Sequence, residues 1–346
     1  MARTSSLGVQ FKGVNITKDI QTEMESFSYN DNATGTADDI SMVLSDRKRH
    51  WLDDWEINQG DEIIAIIYTQ NWRHDGDFRE KNCGRHYLDV PRLSGYPRKV
   101  NLKASSIPIN HNLKTPITQV WADIRLDNIA NDIAWRNGMR LFVDSRDLRH
   151  YGTLKRERTS DLNFLEELCR ESGHGFKIRN NTIIIYDLIE YMKRPAVLEI
   201  WDGAKIPAPN SPQNYNIAED YDFSFGDDTN YDAVNVSYRG SGNSGTIRGQ
   251  FIRPNNNGWK VYEMEDVYVS SVADANYLAR RKLFQLNKEA VRCSITIMGD
   301  TDYAAATCVD LKGFGQYSGK YFVERVYHSK SPEYKCELEM FRTFEI

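Results

Sequence analysis

Leu311-Lys-Gly-Phe-Gly-Gln-Tyr-Ser-Gly-Lys-Tyr-Phe-Val-Glu-Arg-Val-Tyr-His-Ser329 is a glycine-punctuated turn that hands the chain to a strand. No nucleophile motif, metal cage or phosphate loop accompanies it, so its residues read as shaping a β-framework rather than a reacting centre. The segment that follows agrees. Tyr334, Cys336, Leu338 and Met340 alternate with Lys335, Glu337 and Glu339, the period of a strand with one buried face. That alternation ends at Phe341, where two apolar residues become adjacent.

Working upstream, Val291, Cys293, Ile295 and Ile297 alternate in the same way. One helix is expected before them, at about 271–287: Ser271 and Asp274 form a Ser-x-x-Asp box, and Ala275, Leu278, Ala279, Leu283 and Leu286 keep one face. Val234, Val236 and Tyr238 predict another strand, which runs into the glycine-rich tip Gly240-Ser-Gly-Asn-Ser-Gly245. Residues 195–346 therefore read as β-rich with one helix.

Residues 1–104 read as β-rich too. Ile40, Met42 and Leu44 alternate, Asp61-Glu-Ile-Ile-Ala-Ile-Ile-Tyr68 is a more buried run behind the turn at Gln59-Gly60, and Val100 and Leu102 alternate again. Short strands separated by turn signals suggest a small barrel or a sandwich. Between about 105 and 194 the pattern turns mixed. Leu126, Ile129, Ala130 and Ile133 share a helical face that stops at Asn137-Gly138, and Met139-Arg-Leu-Phe-Val143 follows as a strand. A second helix starts at Thr159 or Ser160, carries Leu162, Leu165, Leu168 and Cys169 as its stripe, and ends at Gly173. Phe176-Lys-Ile178 and Thr182-Ile-Ile-Ile-Tyr186 flank Asn180-Asn181 as a hairpin. The expected fold class is mainly β with an α/β insertion: two small β-units at 1–104 and 195–346 flank an α/β unit at 105–194.

Composition narrows the functional classes. A chain of 346 residues exceeds the usual single core, so two or three domains are expected. Lys+Arg 44 against Asp+Glu 49 gives −5, which argues against a dedicated nucleic-acid binder. No run approaches the roughly 18 apolar residues of a membrane span, and Met-Ala-Arg-Thr-Ser-Ser lacks a signal-peptide core. Five scattered cysteines (Cys83, Cys169, Cys293, Cys308, Cys336) read as free thiols of a reducing compartment.

The candidate chemistry is thin. The seven histidines (His50, His74, His86, His111, His150, His174, His328) show no His-x-x-x-His spacing and no paired cysteine, so no metal site is expected. Capping and turn roles account for His174 and His328. The acids Glu219, Asp220, Asp222, Asp227 and Asp228 lack the ligand spacing of a calcium loop, and Asp75-Gly-Asp77 reads as a turn. Alternation with Tyr221, Phe223 and Phe225 makes the first of those acids the wet face of a strand. Asp53-Asp54, between Trp51 and Trp55, is the nearest approach to a glycosidase pair, and it reads more simply as a charged loop. No catalytic, cofactor-binding or metal residue is assigned, and no enzymatic activity is expected. Two rival readings are a peptidoglycan hydrolase using Asp53 or Asp54, and a carbohydrate-binding receptor module using Trp259 and Tyr262.

The segment Phe27-Ser-Tyr-Asn-Asp-Asn-Ala-Thr-Gly-Thr-Ala-Asp-Asp-Ile-Ser-Met-Val-Leu-Ser-Asp46, with Arg47 to Trp51 and Asp54-Trp55, resembles the opening of the phage late control protein D family. Those are baseplate hub proteins of contractile tails and phage-tail-like bacteriocins. Leu126-Asp-Asn-Ile-Ala-Asn-Asp-Ile-Ala134, the stretch Ser160 to Gly173, and Leu311 to Ser329 resemble its middle helices and C-terminal barrel in the same order. The signature positions this carries over are structural: Asp46, Arg47, Trp51, Trp55, Gly60, Asp61, Gly313, Phe314, Gly315, Gly319, Tyr321 and His328. Arg49 departs from the pattern, since relatives commonly carry glycine there, and this bears on the turn after Asp46-Arg47. The resemblance implies two barrels flanking the α/β unit and a homotrimer forming a pseudo-sixfold ring without cofactor. Its implied partners are a spike, tube or tube-initiator proteins, other baseplate components and a tape-measure protein. The implied place is the baseplate of a virion or tailocin particle, assembled in the bacterial host cytoplasm. Trp51, Trp55 and Trp72 are expected to be packing anchors.

Overall fold

A computed structural model describes residues 2–109, 112–205, 215–226, 230–240, 245–255 and 259–346. His111, Asp227 and Asp228, most of the Gly240–Gly245 tip and most of Asn255-Asn-Asn-Gly258 lie outside the described residues. The fold is mainly β, with 50% of residues in strands and 19% in helices. No helix among the described residues is long and apolar enough to cross a membrane.

The N-terminal strands are β1 (Thr4–Phe11), β2 (Val14–Asn15), β3 (Met24–Asn32), β4 (Asp39–Ser45), β5 (Glu62–Gln70), β6 (Phe78–Leu88), β7 (Arg92–Ser94) and β8 (Lys99–Ser105), with the single-turn helix α1 (Thr17–Ile20) after β2. Their inward residues, among them Val9, Phe27, Met42, Ile63, Ile67, Val100 and Leu102, make one apolar core. The main strands lie in the order β1-β5-β6-β8-β4-β3. No ladder joins β1 to β3 among the described residues.

The middle segment holds β9 (Pro116–Arg125), α2 (Leu126–Arg136), β10 (Arg140–Asp144), β11 (His150–Ser160), α3 (Asp161–Glu171), β12 (His174–Arg179), β13 (Thr182–Asp187) and α4 (Leu188–Lys193). β9 and β11 form a ribbon, and β10-β13-β12 a three-stranded sheet. The expected helix stripes are buried on that sheet, Ile129, Ile133, Leu165 and Leu168 all at 3% exposure or less. Ser160 caps α3 by accepting the Asn163 amide. Asn180 and Asn181 make the β12–β13 turn with φ 50 and 57, a left-handed pair that suits asparagine.

The C-terminal segment contains β14 (Leu198–Trp201), β15 (Tyr215–Phe225), β16 (Ala233–Arg239), β17 (Thr246–Ile252), β18 (Val261–Met264), α5 (Val272–Asn287), β19 (Val291–Met298), β20 (Cys308–Lys312), β21 (Gly319–Lys330) and β22 (Tyr334–Arg342). β14-β20-β21-β22-β19-β15 runs in a ring, and β15 meets β14 again to close a six-stranded barrel. The strand read at Val234 is not in this barrel. It belongs to a separate sheet, β17-β16-β18, on which α5 lies. Phe341 breaks the alternation of β22 for a related reason. Both faces of the strand are covered there, and Phe341 packs outward against Phe322 and against Phe284 of α5.

Gly249 of β17 is where α5 comes closest. A Cβ there would stand 2.6 Å from the backbone carbon of Ala275. Backbone cannot yield as a flexible side chain can, so Gly249→Ala is expected to cost about 1–3 kcal/mol, read as a lowered urea midpoint. An unchanged midpoint would contradict this packing.

Numbered by chain order within each unit, both sets of six main strands follow the arrangement 1-4-5-6-3-2. The one difference of direction is at strand 1, since β14 runs parallel to its neighbours and β1 antiparallel to β5. The two units are also joined. β3 pairs antiparallel with β21, Asn32 opposite Arg325 and Phe27 opposite Lys330, so one sheet runs through both.

Candidate functional site

The β3–β21 seam and the charges buried beneath it are the most heavily built region of the molecule. Every unit contributes. β3 places Tyr29 and Asp31, β21 places His328, and the β3–β4 turn supplies Asp38. β12 contributes Lys177, a polar residue set between the apolar Phe176 and Ile178.

Lys177 Nζ lies 2.5 Å from Asp31, 2.9 Å from Asp38 and 2.9 Å from the Asn32 carbonyl. Lys81 of β6 stands 3.7 Å from Asp31 and donates to the Tyr303 carbonyl at 2.7 Å. Asp31 also accepts the Ala305 amide at 3.2 Å, so one carboxylate touches the N-terminal, middle and C-terminal segments. Burial opposes its ionisation, but Lys177 and Lys81 outweigh burial and hold Asp31 down at about 2. Asp38 has only one such partner, and burial together with the nearby Asp31 charge pushes it up to about 6. The two acids therefore do different work: Asp31 anchors, while Asp38 is the weaker member of the cluster.

His328 is buried between the rings of Tyr29 and Tyr334, with centroids at 5.7 and 6.0 Å. Its Nδ1 is 2.8 Å from the Tyr334 hydroxyl and 3.1 Å from Cys336 Sγ. Burial, reinforced by Lys81, lowers His328 to about 3 and keeps it neutral, while burial raises Cys336 to about 12. A neutral thiol sealed from solvent is inert as a nucleophile. His86 meets the same Tyr29 edge-on and is lowered to about 4 by burial.

A second joint fastens α5 to the middle segment. The guanidinium of Arg281, fully buried, reaches Asp187 at 2.7 Å and Asp147 at 2.8 Å, and Asp187 also caps α4. His174 sits beside it, Nδ1 on the Ser172 hydroxyl and Nε2 on that of Ser145, and burial and Arg281 lower it to about 4. The capping and turn roles expected for His174 and His328 are therefore corrected. Both are buried network members inside strands, held there by hydroxyl partners that lie close in space.

The signature residues fall into two groups. Asp46 accepts the Trp51 amide at 3.2 Å, and Trp51 packs edge-on to Phe11 and Trp55. Arg47 is exposed. Gly60 has φ 91 and donates to the Leu88 carbonyl, and Asp61 pairs with Lys12 at 3.2 Å. At the other end, Gly313, Gly315 and Gly319 all have positive φ, Phe314 meets Tyr221 at 5.1 Å, and Tyr321 donates to the Tyr317 carbonyl. His328 alone of the second group reaches the N-terminal strands. Arg49, the departure, adopts φ 66, a conformation that favours glycine, and its guanidinium is held by Asp53 at 2.5 and 2.8 Å.

Asp53 and Asp54 are exposed and engaged, the first by Arg49 and the second by His50 at 3.1 Å. The Arg49 hydrogen bond lowers Asp53, the opposite of what a general acid needs. Trp51 and Trp72 are buried as anchors and Trp55 is half-buried. Among the described residues, no cluster of histidine, cysteine or acids is arranged for a metal. A cleft of about 660 Å³ lies between the β3–β4 turn, α3, α5 and β22, with charges of both signs (Glu166, Arg170, Lys282, Glu339) on its walls.

This architecture is a tail-protein fold. The tail protein from Neisseria meningitidis MC58 superposes with a TM-score of 0.69 over 98% of this chain and 96% of its own, at 13% identity. The prophage MuSo2 43 kDa tail protein from Shewanella oneidensis does so at 0.69 over 98% and 99%, with 11% identity. The E. coli c3393 protein, a type VI secretion component described as similar to the T4 tail proteins gp27 and gp5, covers 94% of this chain and 76% of its own at 0.54 and 10%. No protein-family model matches the chain, and no curated protein does.

Proposed function

We propose that this chain is the structural baseplate hub of a contractile tail or tail-like injection system. Three copies would form a pseudo-sixfold ring joining the tail tube to a threefold spike. The observation that carries this reading is the duplication: two six-strand units of the same order, already joined edge to edge within one chain. Three such chains hold six equivalent units under threefold symmetry, and a closed rotational arrangement stops growth at that number. The solved tail proteins of this fold support the same reading. No catalysis is part of it, and the three segments act as rigid parts fastened by Lys177 and Arg281.

Mass determination of the purified protein, alone and with its cognate spike, tests the proposal. Three copies per particle are expected, with the protein on the tail axis in electron micrographs. A single copy under both conditions would overturn it.

A further inference from the structure

We infer that the cleft between the three segments is a docking site for an extended stretch of a partner protein in which a basic and an acidic residue stand two positions apart. This adds a partner site to the hub reading and does not depend on the number of copies. The cleft holds about 660 Å³, a size typical of ligand pockets, and is walled by the β3–β4 turn, α3, α5 and the β21–β22 pair. Some of its charges are paired within the chain, Lys288 with Glu324 at 3.1 Å and Arg325 with Glu339. Others are not. Glu166 of α3 makes no hydrogen bond or ion pair with a described residue. Asp39 of β4 is hydrogen-bonded only by the Asn30 side-chain amide, at 3.1 Å to each oxygen. Lys282 of α5 stands 5.2 Å from the Tyr262 ring and pairs with no acid among the described residues. Arg170 of α3 has only Glu167, at 3.9 Å on the exposed flank.

Glu166 and Arg170 lie one turn apart on α3, a spacing at which opposite charges usually close on each other. Here they do not. Glu166 Oε1 reaches toward the β3–β4 turn instead, 3.5 Å from where a Cβ on Gly35 would stand. Burial raises its carboxyl, and the Arg170 charge offsets only part of that. Burial raises Asp39 as well, against the Asn30 hydrogen bond. Both acids therefore stand where an incoming cation would stabilise them. The spacing names the occupant. Side chains four apart on a helix are about 5–6 Å from each other. Alternate residues of an extended chain point the same way at about 6–7 Å. A strand-like segment laid along α3 thus sets a base on Glu166 and an acid on Arg170 with one residue between them. Asp39 and Lys282 supply one more charge of each sign from β4 and α5. A lone oxyanion or amine would satisfy one sign and leave the other unmatched.

The test is an NMR titration of the labelled protein with the peptide acetyl-Ser-Lys-Ser-Glu-Ser-amide and with its counterpart carrying glutamine at both charged positions. The charged peptide is expected to bind roughly ten-fold more tightly, with the difference shrinking as salt is added. Glu166→Gln should remove most of that preference. Glu167→Gln should keep it, because Glu167 lies outside the cleft walls. The unaltered protein gives a second readout, independent of whether either variant folds. Its Glu166 carboxyl should titrate at lower pH once the charged peptide is bound. Equal binding of the two peptides, binding of neither, a preference that survives Glu166→Gln, or a Glu166 titration that does not move would each overturn the site. None of these outcomes bears on the copy number that decides the hub reading.

Discussion

A Lys177→Met variant is expected to lose about 3–5 kcal/mol of stability, the usual cost of stranding buried charges by removing their partner. The lysine is 11% exposed and faces carboxylates that are 4% and 0% exposed. Without it, Asp31 keeps Lys81 at 3.7 Å and the Ala305 amide, and Asp38 keeps the Asn32 amide. Asp38 then has no cation in contact and is driven further toward its neutral form. Urea denaturation at pH 7 measures the loss, and a fall below about 1 kcal/mol would show that the cluster is not a joint. Adding Asp38→Asn to the methionine variant should recover part of it, because residues sharing one network do not add.

Periodicity made the outer architecture legible. The alternations at Ile40, Val291 and Tyr334 each mark a strand with one face in a shared core, and a strand's pattern depends only on its own neighbours. The assignment of Val234 to a separate sheet was not legible, since alternation reports that a face is buried but not which sheet buries it. The duplication was implied by the family resemblance alone and not by periodicity. The two units share strand order without a shared sequence pattern, and the four-strand separation between β1 and β5 is set by long-range pairing.

The joints were the least legible part, for a definite reason. Lys177, Asp31, Asp38 and Arg281 look like ordinary solvated residues in sequence, and only assembly of the segments draws the first three into one cluster and Arg281 into the other joint. A trace exists in Lys177, the one charge within Phe176-Lys-Ile178, yet a lysine on a strand's wet face leaves the same trace. His328 reads as a strand end in the sequence, whereas β21 continues to Lys330 and β3 covers it. Arg49 shows the opposite case. Its departure from the resembled pattern pointed at a turn, and the chain adopts a left-handed φ of 66 there.

Acidification should destabilise this fold steeply, and the buried histidines set the direction. Below pH 6.5 the unfolded chain protonates His86, His174 and His328, while the folded chain refuses those protons until about 4, about 4 and about 3. Their contribution is whole above 6.5 and is lost as pH falls toward those values. Asp38 acts the other way, taking its proton in the folded state near 6 and in the unfolded state at 3.8, so its cost is relieved on acidification. Asp39, Glu166 and Glu171, also raised by burial, temper the slope further in the same sense. Three protons against one leaves about two, so stability should fall by up to about 2.7 kcal/mol per pH unit between 6 and 4. Asp31, held at about 2, is stabilising above 3.8 and adds to the loss only below that. Urea midpoints at pH 7, 6, 5 and 4.5 would read the slope, and a flat or rising series would contradict it. His86→Gln should flatten it by about 1.4 kcal/mol per pH unit, one proton's worth, whatever the variant's stability at pH 7. Because His86 and His328 both pack on Tyr29 of β3, the seam between the two units is the part of the molecule that acid should open first.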